Sequence, residues 1–147
     1  MKILILNGPN INMLGIREPE IYGKQDYKAL LSFVGEVCDR LGVEYECYQS
    51  NHEGALVDKI QEALGEFDAI VFNPAAYTHT SVAIHDALLA VAIPTAEVHL
   101  TNTQSREDYR KVNFITPCCE KTFQGHGFDS YRMAIEYMAE KYCRIFS

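Results

Sequence analysis

Apolar and polar positions along the chain alternate between two periods. Lys2-Ile3-Leu4-Ile5-Leu6 is a continuous apolar run of the kind that a parallel sheet buries on both faces. From Gln25 to Leu41 the period changes: Tyr27, Leu30, Leu31, Val34, Cys38 and Leu41 share one helical face, and Gly42 is a natural stop. Val43 to Tyr48 reads as a second strand, Ala55 to Leu64 as a helix with Leu56, Ile60 and Leu64 inward, and Ala69 to Phe72 as a third strand. Ser81 to Val91 is helical but apolar on nearly every side. Ile93 to Val98 follows as a fourth strand, Lys121 to Gln124 before Gly125 as a short fifth, and Tyr131 to Tyr142 as a closing helix.

Regular alternation of this kind, without repeats, low-complexity tracts or a proline-rich linker, predicts an α/β domain spanning 1–147. The simplest arrangement is a flavodoxin-like doubly wound sheet of five parallel strands with helices on both faces. Met13 to Lys24 breaks the rhythm, because twelve residues stand where an α/β connection normally needs two to six. A loop of that length at a strand's carboxyl end predicts a lid at about 13–24, and it offers Arg17 and Tyr22 to a ligand site. The helix from Ser81 to Val91 has more apolar surface than one sheet face covers, which predicts a homo-oligomer.

Composition narrows the class of function. At 147 residues the chain buries about two-thirds of its unfolded surface without metals or crosslinks. A formal charge of -7 argues against a nucleic-acid or anionic-membrane surface, while Arg17, Arg106 and Arg110 suffice for a local anion pocket. The five cysteines, Cys38, Cys47, Cys118, Cys119 and Cys143, are odd in number and lack C-x-x-C spacing, which fits a reduced, cytoplasmic protein. Adjacent Cys118 and Cys119 read as small residues near the start of a strand. The first apolar run ends at Asn7-Gly8-Pro9-Asn10, too short for a secretory core or membrane span, and no later run reaches that length.

Polar residues gather behind strands one, three and four: Asn10 and Asn12; Asn73 with Tyr77-Thr78-His79-Thr80-Ser81; and Glu97-Val98-His99-Leu100-Thr101-Asn102. Three strand ends of a parallel sheet converge on one rim, where ligands bind. Glu97 and His99 are two apart on an extended segment, so both leave one face and the carboxylate can hold one imidazole nitrogen while the other faces ligand. Tyr22 becomes a base only where its anion is favoured, and Arg17, Arg106 and Arg110 are the candidates to do so. His52, His79, His85, His99 and His126 form no metal-ligand spacing, His85 is expected on a helix surface and His126 in a glycine turn. The loop after strand one has neither G-x-G-x-x-G nor a Walker pattern, and Pro9 removes a donor that a phosphate nest would use.

Together, Asn7-Gly8-Pro9-Asn10-Ile11-Asn12-Met13-Leu14-Gly15, Arg17-Glu18-Pro19-Glu20-Ile21-Tyr22-Gly23, Gln49-Ser50-Asn51-His52-Glu53-Gly54, Asn73 to Ser81 and Glu97-Val98-His99 resemble type II 3-dehydroquinate dehydratase in order and over nearly the whole chain. The resemblance implies dehydration of 3-dehydroquinate to 3-dehydroshikimate by anti elimination through an enolate, without metal, cofactor or Schiff base, in shikimate formation or quinate use. It also implies a homododecamer built of trimers. Carried to matching positions, Tyr22 is the base, Arg17 and Arg106 favour its phenolate, His99 is the acid, Glu97 orients it and Asn10 faces the enolate oxygen. Asn73 and the backbone amides of Leu100 and Thr101 hold the substrate carboxylate. His79 and Arg110 hold ring hydroxyls, and Asp86 reaches a neighbour's site. Thr101 stands where the family usually has serine, and residues 117–129 follow the pattern loosely.

The fold by itself also suits a flavin- or nucleotide-binding module, or a signalling or scaffold domain. A nucleotide binder would carry a glycine- or hydroxyl-rich loop after strand one, and a phosphate-accepting receiver acidic residues there; this chain has amides and a proline.

Overall fold

The computed structural model describes residues 1–16, 25–103 and 107–143. Arg17 and Tyr22 of the expected lid, and Arg106, lie outside the described residues. Five strands, β1 (Lys2–Asn7), β2 (Glu44–Gln49), β3 (Ala69–Asn73), β4 (Thr95–His99) and β5 (Lys121–Gln124), form one sheet in the order β2-β1-β3-β4-β5. Every pairing is parallel, as the buried apolar runs predict.

Alternate residues of the strands feed two cores. Ile3, Ile5, Val71 and Val98 pack under helices α1 (Tyr27–Leu41) and α4 (Asp129–Tyr142), against Leu30, Val34, Ile135 and Met138. Leu4, Leu6, Ile70 and Phe72 pack under α2 (Glu53–Glu62) and α3 (Val82–Val91), against Leu56, Ile60, Ile84 and Leu88. The doubly wound arrangement therefore follows from β1 and β3, whose runs Ile3 to Leu6 and Ala69 to Phe72 are apolar and buried on both faces.

Helix ends depart from the periodicity where caps decide. Asp26 accepts from the Ala29 amide at 2.8 Å and starts α1 at Tyr27, two residues after the first polar position of the pattern. Ser81 accepts from Ile84 at 3.0 Å and is the cap of α3 rather than its first residue. Leu64, expected inward, is 63% exposed. The helix stops at Glu62, and Gly65 at φ 79° turns the chain before Leu64 reaches the core face. His85, expected on a helix surface, is half-buried, because the segment 113–118 folds over α3 and places the Phe114 carbonyl 2.7 Å from its Nδ1.

The loops after β1 and β3 touch at Gly8, whose amide donates to Asn73 O at 2.8 Å. A Cβ on Gly8 would lie 2.4 Å from the Pro74 carbonyl oxygen, so only glycine permits the approach. Among the described residues no helix is long and apolar enough to cross a membrane.

Gly8→Ala is expected to lower stability by about 2 kcal/mol, since backbone must shift to admit the methyl group. Urea unfolding measures this, with Gly54→Ala as the control: it lies in α2 with nothing within 4 Å of the added Cβ, and its midpoint should not fall.

Candidate active site

The carboxyl ends of β1, β3 and β4 surround a cavity of about 290 Å³. Pro9, Asn10, Ile11, Met13 and Leu14 form one wall, Asn73, Ala75, Ala76 and His79 a second, and His99, Leu100, Thr101 and Thr103 a third; Arg110 closes the rim. Of the residues expected from sequence, Asn10, Asn73, His79, His99, Leu100, Thr101 and Arg110 meet here. Glu97 lies directly behind His99. Asp86 stands instead on the exposed face of α3, away from this cavity.

Each wall is fixed by polar contacts made beneath it. Asn10 adopts φ 70°, a left-handed conformation that asparagine tolerates, and its amide donates to Asn51 Oδ1 at 3.0 Å. Gln49 Nε2 reaches Gly8 O and Asn51 Oδ1, both at 3.1 Å, which ties the β1 loop to the end of β2. Asn73 is held at both ends: Oδ1 accepts from the Ala75 amide at 3.1 Å and Nδ2 donates to the Tyr131 hydroxyl at 3.0 Å. That hydroxyl donates in turn to Asn7 Oδ1 at 2.6 Å. Burial pushes the Tyr131 phenol far above its ordinary range, so it stays a neutral donor. His79 has Nδ1 2.6 Å from Val112 O, and Arg110 Nε lies 2.9 Å from Glu107 Oε2.

Glu97 and His99 form a buried, hydrogen-bonded pair beside the cavity. His99 Nε2 lies 2.5 Å from Glu97 Oε2, which leaves Nδ1 as the nitrogen available to the cavity that His99 lines. Glu97 is fully buried, yet its carboxyl is lowered from 4.5 to about 2. Burial acts to raise it, and is outweighed by the hydrogen bond and charge of His99 and by hydrogen bonds from Thr116 and Asn113. Asn113 Nδ2 donates to Oε2 at 3.0 Å, Thr122 Oγ1 donates to Oε1 at 2.9 Å, and Thr116 Oγ1 donates to Oε1 as well. A carboxylate that stays ionised at neutral pH beside an imidazole is equipped to orient a proton donor.

Sequence reasoning missed Asn113, Thr116, Thr122, Thr103 and Tyr131. One signal existed: Asn113 Oδ1 accepts from the amides of Ile115 and Thr116, both at 2.8 Å, an Asx turn that its position before Phe-Ile-Thr-Pro advertises. Nothing local marks Thr122 or Tyr131.

The chain matches the family model described as dehydroquinase class II over residues 1–139. It is 51% identical over 140 residues to the 3-dehydroquinate dehydratase of Campylobacter hominis, covering 95% of this chain and 90% of that one. Identity to the enzyme of the same name from Geotalea daltonii is 51% over 135 residues, covering 92% and 94%. The crystal structure of type II dehydroquinase from Butyrivibrio crossotus superposes with a TM-score of 0.91 at 50% identity, covering 94% of this chain and 97% of that one. Type II dehydroquinase from Propionibacterium acnes gives 0.90 at 35% identity, covering 95% and 96%.

The depressed carboxyl of Glu97 has a consequence for acid stability. Between its unfolded value of 4.5 and its folded value of about 2, the unfolded chain binds more protons, so stability rises with pH across that window. The contribution, about 3 kcal/mol, is complete above pH 4.5 and is lost as pH falls through about 2. Glu97→Gln should therefore show a shallower loss of urea stability from pH 5 to pH 2 than the parent chain; equal slopes would contradict the depression.

Proposed function

The chain belongs to the class II dehydroquinase family, and we propose on that premise that it dehydrates 3-dehydroquinate to 3-dehydroshikimate by anti elimination through an enolate, with neither a metal nor a lysine Schiff base. In this reading the Tyr22 phenolate, favoured by Arg17 and Arg106, removes a proton from C2, and the C–H electron pair moves onto the ketone as an enolate. The enolate then collapses to form the C1–C2 double bond. The C1 hydroxyl departs with a proton from His99 Nδ1 as water. Tyr22 ends protonated and His99 deprotonated, and one net proton transfer restores both.

The observation that carries this reading is the buried Glu97–His99 pair, with the carboxylate on one ring nitrogen and the cavity before the other. Asn10 on the facing wall is proposed to hold a polar group or water against the enolate oxygen, where a donor lowers the energy of the developing charge. Asn73 and the amides of Leu100 and Thr101 are assigned the substrate carboxylate, and His79 and Arg110 the ring hydroxyls.

We extend the proposal to an assembly of trimers, grouped as a dodecamer, in which Asp86 enters a neighbour's site. Supporting this, Val82 and Leu89 on the outer face of α3 are 52% and 57% exposed and flank Asp86. The five free cysteines support a cytoplasmic setting.

Absorbance of the conjugated enone product, followed after adding 3-dehydroquinate, tests the reaction. Activity should survive borohydride treatment and fall by about 10²–10⁴-fold in Tyr22→Phe with the fold intact. Absence of product from the folded oligomer, or inactivation by borohydride in the presence of substrate, would overturn the proposal.

A further inference from the structure

The Glu97 carboxylate offers about four lone-pair positions, and four donors take them. His99 and Asn113 share Oε2; Thr116 and Thr122 share Oε1. Three of the four come from outside β4. Thr122 sits on the neighbouring strand in register with Glu97, so the two side chains leave the same face of the sheet. Asn113 and Thr116 come from the segment that crosses that face, pinned by the fully buried Ile115. The orientation of the Asn113 amide is fixed by its own oxygen, which two backbone amides occupy, so its nitrogen can only face the carboxylate.

We propose that Asn113, Thr116 and Thr122 are positioning residues for the acid of the elimination: they clamp the Glu97 carboxylate so that its remaining contact holds the His99 ring with Nδ1 toward the cavity. This rests on the reading of His99 as the acid. A carboxylate held by His99 alone is free to turn about its terminal torsion or to take a proton, and either event lets the imidazole swing away from the leaving hydroxyl. Four filled lone-pair positions oppose both. The titratable groups around Glu97 are His99 on its own strand and Cys118 and Cys119 on the crossing segment, whose thiols burial and then neighbouring charge push upward. β3 presents Phe72 and β5 Thr122; the Asp86 charge of α3 acts on Cys118.

Thr122→Val tests the clamp, because it keeps the shape of the side chain and removes the hydroxyl. A hydrogen bond to a charged group is expected to cost about tenfold in kcat when lost, with KM for 3-dehydroquinate unchanged within about twofold. Thr122→Ser should restore kcat, and Thr116→Val combined with Thr122→Val should lose more than either alone. The carbon-13 signal of the Glu97 carboxyl, followed by NMR in the folded proteins without substrate, should titrate at higher pH in Thr122→Val than in the parent. Unchanged kcat in Thr122→Val, a change confined to KM, or a loss that Ser fails to restore would overturn the inference. An unshifted carboxyl titration would do so too. A parent enzyme that produces no enone while its Thr122→Val carboxyl titration still shifts would overturn the dehydratase reading instead, leaving the clamp without an acid to position.

Discussion

A fully buried carboxylate in the middle of a parallel sheet constrains much of this structure. An ion removed from water is tolerated only where charge and hydrogen bonds replace its hydration, and removing one partner leaves the remainder uncompensated. Glu97 meets that requirement with donors from β4, from β5 and from the segment between them. The demand therefore shapes more than the side chain. It fixes how residues 113–118 cross the sheet, which side of β5 carries its threonine and which nitrogen of His99 is left for the cavity. The closing of the α2 and α3 face and the orientation of the His99 ring are one solution to one electrostatic problem.

The opposite side of the cavity is built by shape and neutral hydrogen bonds. Gly8 lets the β1 and β3 loops meet at backbone distance, and that contact places Asn10 and Asn73 across from each other. Beneath them the Tyr131 hydroxyl arrives from α4 and links Asn7 to Asn73. A helix that covers the first core thus also supports the cavity floor. Rigidity of this kind suits a site whose donors must stand ready where negative charge develops.

A five-stranded doubly wound sheet hosts many unrelated activities, so the fold alone says little about chemistry. Here the family match over residues 1–139 and the close superposition on type II dehydroquinases narrow the field, and the arrangement of Glu97, His99, Asn10 and Asn73 supplies the physical content. The exposed apolar face of α3 flanks Asp86, which lies away from this cavity.

Local periodicity determined what depends on neighbours along the chain. The five strands, the four helices and the Glu97–His99 pair all follow from spacings of two or of three and four, and the gathering of polar residues at three strand ends follows from parallel connection. Periodicity failed where capping competes with it, as at Leu64, and where a distant segment covers a surface, as at His85. The other three partners of Glu97 lie 16 to 25 residues away and the Tyr131 contact with Asn7 spans 124. Such contacts depend on strand order and on how far one segment leans over another. A threonine or tyrosine at those positions carries no local pattern that distinguishes a solvent-facing residue from one holding a buried ion, and only the assembled sheet separates the two.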